Sequence, residues 1–322
     1  MASLDDITKK VLNGNNITKE EAQYLISVPL DELCNKANII RKHFCCDKFD
    51  VCTIINIKNG RCSEDCKFCS QSIHYDTNIN EYDLLGKEEL SAQSENIFGH
   101  GFKRLAYVSS GRKISDEEFD LLTESIAAIK KDDINLCVSL GLLSQKQINT
   151  LKQLGVDRIH NNLETSEDYF KNICTTHSYS EKLHTLKKIQ KSDLLICSGG
   201  IFGLGESFED RIDLAFQLRD LGIKSIPINI LHPIRGTPLE NKEILTNDEV
   251  CRTVAIFRFI NPTSYIRMAG GRLQLDDNGR RAFLSGANAA IMGNMLNTYG
   301  VKIEDDFQMI KDLGFQITYY IE

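Results

Sequence analysis

The chain has 322 residues, 42% hydrophobic and 26% charged, with 5 Pro and no long polar tract. That composition provides for a large core and excludes disordered, collagen-like and coiled-coil architectures. With 38 Lys and Arg against 45 Asp and Glu, the formal charge is -7, so no overall basic field draws the protein to nucleic acid or anionic lipid.

The first 25 residues hold no apolar signal core, and nowhere do about 18 apolar residues run together, which predicts a cytoplasmic protein without a membrane span. Thiols stay reduced in that compartment, so the 11 Cys point to metal binding or catalysis rather than disulfides.

Residues 1–48 read as a helical extension. Runs rich in β-branched residues then follow at 51–57, 104–110, 134–140, 158–164, 194–203, 225–232, 264–271 and 289–294. Between them lie amphipathic segments such as those beginning at Ser115, Ser144 and Ser207, each with helix spacing after a Ser start. Strand and helix alternate, which implies a parallel sheet. Eight units predict an α/β fold, a (β/α)8 TIM-type barrel over residues 49–322 with a C-terminal tail, in preference to an open doubly wound sheet.

Alternate residues of a barrel strand face the interior and the helix layer in turn. In 134–140, Asn135, Cys137 and Ser139 face opposite to Leu136, Val138 and Leu140; in 225–232, Ser225, Pro227 and Asn229 separate from Ile226, Ile228 and Ile230. Read consistently, the polar interior holds Cys52, Cys137, Cys197, Asn229 and Arg267.

Directly after the first strand comes Cys62-Ser63-Glu64-Asp65-Cys66-Lys67-Phe68-Cys69, a C-x3-C-x2-C spacing on the face where barrel enzymes keep their chemistry. Three thiolates hold three irons of a [4Fe–4S] cube and leave the fourth open to a chelating ligand. A structural zinc knuckle needs four closed ligands, and only His74 follows within a few residues.

This spacing, with the aromatic Phe68 before the third Cys, resembles the radical S-adenosylmethionine (AdoMet) enzymes. GRCSEDCKFCSQS (60–72), HNNLETS (160–166), CSGGIFGLGE (197–206), IPINILHPIRGTPLE (226–240), PTSYIRMAGGR (262–272) and SGANAAIMGN (285–294) resemble the biotin synthase family, in order. The resemblance implies that Cys62, Cys66 and Cys69 hold a [4Fe–4S] cluster whose open iron binds AdoMet. Cleavage of AdoMet would yield a 5′-deoxyadenosyl radical that abstracts hydrogen from dethiobiotin, with sulfur supplied by an auxiliary iron–sulfur cluster, the last step of biotin synthesis.

It further implies a cofactor-binding set of Phe68, Asn162, Glu164, Lys182, Ile201 and Asn229. Glu164 stands where many members carry Asp and would accept from the ribose hydroxyls; Lys182 stands where Arg is common and would pair with the AdoMet carboxylate as a point charge. Asn162 and Asn229 each offer a donor and an acceptor to ribose or a ureido ring, and Ile201, within a glycine-rich stretch, would pack on adenine. His160 departs from an Asn common in the family.

The family's second cluster, usually [2Fe–2S], has three Cys and an Arg. Cys137, Cys197 and Arg267 match three of those positions, and the fourth falls at Ala106. Cys52, on the neighbouring strand with inward parity, is expected to substitute, in a [2Fe–2S] or larger cluster; its alternative is a small buried apolar side chain. Cys34, Cys45, Cys46, Cys174 and Cys251 match no family ligand; packing is their default reading and transient sulfur handling the alternative, with the adjacent pair Cys45-Cys46 placed to deliver sulfide or close the barrel base. The resemblance also implies a flavodoxin or ferredoxin electron donor and a homodimer. Competing readings are a related radical AdoMet isomerase or maturase without a sacrificial cluster, and a zinc or iron–sulfur sensor.

Overall fold

The computed structural model describes residues 2–130 and 133–319. Three helices come first: α1 (Leu4–Leu12), α2 (Lys19–Ser27) and α3 (Leu30–Cys45). Ser3 and Thr18 cap the first two, each accepting from the amide three residues on while the acidic side chain there bonds back.

Among the described residues ten strands follow: β1 (Lys48–Lys58), β2 (Arg104–Ser109), β3 (Asn135–Ser139), β4 (Arg158–His160), β5 (Leu195–Cys197), β6 (Gly200–Phe202), β7 (Ser225–Ile230), β8 (Tyr265–Met268), β9 (Ala289–Ile291) and β10 (Gln316–Thr318). The helices among them are α4 (Lys87–Gly99), α5 (Asp116–Ile129), α6 (Gln145–Gln153), α7 (Glu167–Phe170), α8 (Tyr179–Gln190), α9 (Phe208–Asp220), α10 (Asn247–Ile260), α11 (Arg280–Leu284) and α12 (Ile303–Asp312).

Among the described residues these strands pair in parallel throughout, and the ring closes where Asp50, Val51 and Cys52 of β1 pair with Ala289, Ala290 and Ile291 of β9. β5 and β6 form two halves of one stave, both paired to β7, so eight staves make a closed TIM-type barrel. β10 lies along the first residues of β1 and has no counterpart among the eight expected strands.

The expected helix starts are present. Ser115, Ser144 and Ser207 are the N-caps of α5, α6 and α9, each in a reciprocal capping box. α10 is buried continuously from Thr253 to Ile260 because α2 and α3 cover the side that α9 and β8 leave open. The N-terminal helices thus complete the layer around the barrel. Among the described residues, no helix is long and apolar enough to cross a membrane.

Two expected runs differ in detail. The run at 158–164 pairs as a strand only over β4, and 194–203 breaks at Ser198-Gly199. Gly199 passes so near β7 that a Cβ there would lie 2.0 Å from the Pro227 carbonyl oxygen. Its neighbour Gly200 would meet the Glu164 oxygen at 2.5 Å. Both glycines let the backbone carrying Glu164 and Cys197 close onto β7. Gly199→Ala is expected to cost about 1 to 3 kcal/mol through this clash, read as a lower denaturation midpoint of the full chain.

Candidate active site

The loop after β1 begins at two left-handed residues, Gly60 and Arg61, which turn the chain across the barrel's C-terminal end. The Cys62 amide donates to the Gln71 carbonyl at 2.9 Å, the Ile73 amide to the Cys62 carbonyl at 2.9 Å, and the Cys69 amide to the Cys66 carbonyl at 2.9 Å. Cys62 is buried, and Cys66 and Cys69 are half-buried.

The segment joining α7 to α8 clamps this loop. The Lys67 amide donates to the Ile173 carbonyl at 2.9 Å, and the Thr175 amide donates to the Asp65 carboxylate at 2.8 Å. Cys66 lies 3.7 Å from Cys174, sulfur to sulfur, and the Cys174 sulfur is 3.2 Å from Nδ1 of His177, which in turn bonds the Glu64 carboxylate. The two thiols share a proton: the bond to Cys66 brings Cys174 down to about 4, while the same bond and burial push Cys66 well above the usual thiol range. Cys174 is buried against the core, as expected of a packing residue, and it also faces the cysteine loop.

Below the loop lies a cavity of about 400 Å³ lined by Phe68, Cys69, Asn162, Glu164, Ile201 and Asn229 toward its mouth. Cys52, Ala106, Cys137, Cys197 and Arg267 line it more deeply. The period of two along the strands is kept: Cys52 with Ile54, Arg104 with Ala106 and Val108, Cys137 with Ser139, and Arg158 with His160 all face inward. Cys62, Cys66 and Lys182 stand outside the lining.

Glu164 adopts a left-handed backbone, φ 72°, and anchors the upper wall. Its amide donates to Gly199 at 3.2 Å, and its carbonyl accepts from the Ile201 amide at 2.8 Å. Its carboxylate receives the Asn162 side-chain amide at 3.2 Å and stands 3.7 Å from the Lys182 ammonium, which also donates to the Asn162 carbonyl at 3.0 Å. Asn229 spans two strands, donating to the Gly200 carbonyl and accepting from the Gly270 amide, each at 3.0 Å.

The floor is cationic. Arg104 and Arg267 share the Asp50 carboxylate, all three fully or almost fully buried. Arg267 also donates to the Asp50 and Ala290 carbonyls at 3.2 and 3.0 Å. Burial disfavours its charge, yet Asp50 holds its guanidinium firmly protonated. Burial alone would raise the Cys197 thiol; a hydrogen bond from His160 and the charges of Arg267 and Arg158 instead bring it down to about 6. Cys52 lacks such a donor and is pushed up to about 12 by burial.

Cys52, Ala106 and Cys137 pack together as one small cluster, so the sulfur of Cys52 sits beside the alanine. Nε of Arg158 is buried without a hydrogen-bond partner among the described residues. Three thiols, a cationic floor and this unpartnered donor fit an anionic iron–sulfur group, and the three cysteines of the loop fit a second.

A family model described as the Radical SAM superfamily matches residues 56–218, and one described as the Biotin and Thiamin Synthesis associated domain matches 227–316. A curated biotin synthase of Brachyspira hyodysenteriae is 51% identical over 316 residues, 98% of this chain and 95% of its own length. One from Clostridium botulinum is 48% identical over 318 residues, covering 98% of this chain and all of its own. The chain belongs to the biotin synthase family.

Membership in a radical AdoMet family brings with it a [4Fe–4S] cluster and AdoMet. Solved structures of methylornithine synthase, with a TM-score of 0.84 over 97% of both chains, and of the hydrogenase maturase HydG, at 0.83, share the barrel at 17% identity. They bear on the fold alone. A full-length match to biotin synthases sets aside the sensor, isomerase and maturase readings.

Sequence reasoning passed over Asp50, Arg104 and Arg158, and over the pair of Glu64 with His177. Asp50 has the same strand parity as Cys52, and that signal would have found it. Asp50→Asn is expected to cost about 3 to 5 kcal/mol, because it removes the anion that two buried guanidinium groups share. Thermal unfolding checks this. In the double variant with Arg267→Met the two losses should fall short of their sum.

Proposed function

We propose that the protein converts dethiobiotin to biotin, with the loop cysteines and the barrel-floor cysteines holding separate iron–sulfur groups at the two ends of one cavity. The observation that carries this reading is that single cavity, which has Phe68 and Cys69 at its mouth and Cys52, Cys137, Cys197 and Arg267 deeper down. A full-length likeness to biotin synthases supports it.

Cys62, Cys66 and Cys69 are the ligand set for the [4Fe–4S] cluster; Cys52, Cys137, Cys197 and Arg267 are that for the auxiliary cluster, [2Fe–2S] or larger. When bound, these groups and AdoMet supply a reductively generated 5′-deoxyadenosyl radical and the sulfur atom for insertion. Everything else falls to the chain. Glu164, steadied by Asn162 and Lys182, presents its carboxylate to the ribose hydroxyls, and Lys182 offers its charge to the AdoMet carboxylate. Ile201 gives an apolar face to adenine, and Phe68 covers the cysteine loop. Asn229 fixes the wall against which the ureido ring of dethiobiotin is oriented. The mostly apolar walls keep water and stray hydrogen donors from the reacting carbons.

His160 stabilises Cys197 as thiolate, the form that ligates iron. Asp50 holds Arg267 in place beneath it. A flavodoxin or ferredoxin supplies electrons, the protein acts in the cytoplasm, and the chain pairs as a homodimer; these extend the reading by family resemblance.

Anaerobic reconstitution, with iron and sulfide counting, Mössbauer spectroscopy and a single-turnover assay, tests the reading. Two distinct clusters are expected, with biotin formed at the expense of the second; one cluster that cleaves AdoMet without making biotin overturns it. Cys62→Ala should abolish AdoMet cleavage, whereas Cys52→Ala should lose the auxiliary cluster and keep cleavage. Normal iron and sulfide content in Cys52→Ala would sink the substituted ligand set. Glu164→Gln should weaken AdoMet binding about tenfold, the loss of one charge-assisted hydrogen bond.

A further inference from the structure

Beside the cysteine loop stands a second group of soft donors. The ligand atoms of Cys66, Cys174 and His177 all lie within 4.8 Å of one another. Cys174 is 3% exposed, and the side chains of His177 and Glu64 are 7% and 6% exposed, so the group is buried on that side and reached from the half-buried Cys66.

Its spacing suits one ion. A tetrahedral metal with bonds of about 2.3 Å to sulfur holds two thiolates about 3.8 Å apart, and the Cys66 and Cys174 sulfurs are 3.7 Å apart. Thiolates on separate corners of an iron–sulfur cube point outward from different irons and stand farther apart, so Cys174 is too near Cys66 to be a second ligand of the same cube. Nδ1 of His177 bonds the buried Glu64 carboxylate and lies 3.2 Å from the Cys174 sulfur, while Nε2 lies 4.0 Å from the same sulfur, so coordination through one ring nitrogen leaves the other to Glu64. A carboxylate orienting a ligating imidazole is the usual outer shell of a histidine metal site.

The backbone fixes the arrangement before any ion arrives. The bond from Lys67 to Ile173 ties the two segments together, and Ser178 caps α8 just beyond His177. Asp65 accepts from the amides of Thr175 and Thr176, and its Oδ1 stands 3.3 Å from the Cys174 sulfur, which leaves the fourth position to water or to this carboxylate.

We propose that in the cluster-free chain Cys66, Cys174 and His177 bind a single soft divalent ion of the zinc(II) class, which competes with the cluster for Cys66. On binding, two sulfur–metal bonds and one nitrogen–metal bond replace aquo ligands, and any thiol proton is released to solvent; no electron moves. The ion must leave before the cube can claim all three loop cysteines. This proposal takes Cys66 as a cluster ligand from the reading above.

Cobalt(II) titration of the cluster-free full-length protein tests it. One cobalt per chain should bind with tetrahedral ligand-field bands and thiolate charge transfer, and zinc should displace it. Affinity should fall at least tenfold in Cys174→Ala and in His177→Gln, while Cys62→Ala and Cys69→Ala keep the spectrum. Zinc-loaded wild type should assemble its cluster more slowly than metal-free protein, and Cys174→Ser should relieve the delay.

A spectrum lost in Cys62→Ala or Cys69→Ala but kept in Cys174→Ala places the ion on the three cluster cysteines and overturns the proposal, as does the absence of tight cobalt binding. Should Cys174→Ala fail to fold, His177→Gln decides by the same spectrum. Cluster assembly by wild type from iron and sulfide in zinc- and cobalt-free buffer, and its loss in Cys62→Ala, judge the cluster reading separately.

Discussion

The carboxylate of Asp50, buried between Arg104 and Arg267, is the interaction on which the interior depends. A guanidinium inside a closed barrel costs several kcal/mol unless an anion and acceptors meet it, so neither arginine could stand there alone. Asp50 sits where β1 meets β9, and its bridge to Arg267 links β1 to β8 across the closure of the ring. One carboxylate between two arginines, with Arg158 close by, leaves the floor with surplus positive charge. That surplus helps draw Cys197 toward thiolate and suits a sulfide-rich, anionic group.

Above this floor, the geometry follows from close backbone approach. Gly199 and Gly200 admit the Pro227 and Glu164 carbonyls where any side chain would collide. Glu164 takes a left-handed conformation as part of the same crossing, and strain of this kind persists where surrounding structure holds it. The bonds among Glu164, Asn162 and Lys182 then fix the wall that would face AdoMet. A conservative change at any of the three would disturb the others, because each spends part of its hydrogen-bonding capacity on its neighbours.

The cysteine loop owes its shape to a different part of the chain, the turn between α7 and α8. Asp65 and Lys67 are both bonded to that turn, which brings Cys174 and His177 against Cys66. The same clamp that positions Cys66 therefore sets a second thiol and an imidazole beside it. On the proposed assignments, assembly of a cluster and binding of a lone ion are alternatives at one sulfur atom.

Much of this was legible in the sequence because it is periodic or local. The alternation of strands and helices, the Ser caps at 115, 144 and 207, the inward parity of Cys52, Cys137 and Cys197, and the C-x3-C-x2-C spacing all depend on neighbours within a few residues. β10 escaped notice because three residues with two exposed positions carry no burial pattern. The pairing of Asp50 with Arg104 and Arg267 joins residues 54 and 217 positions apart, and that of Cys66 with Cys174 joins residues 108 apart. The sequence alone determined which residues face inward and which cysteines share a loop, since strand and turn geometry are set by short-range sterics. Only the tertiary structure decided which buried charges meet and which thiols touch, since closing the barrel sets distances that no local rule contains.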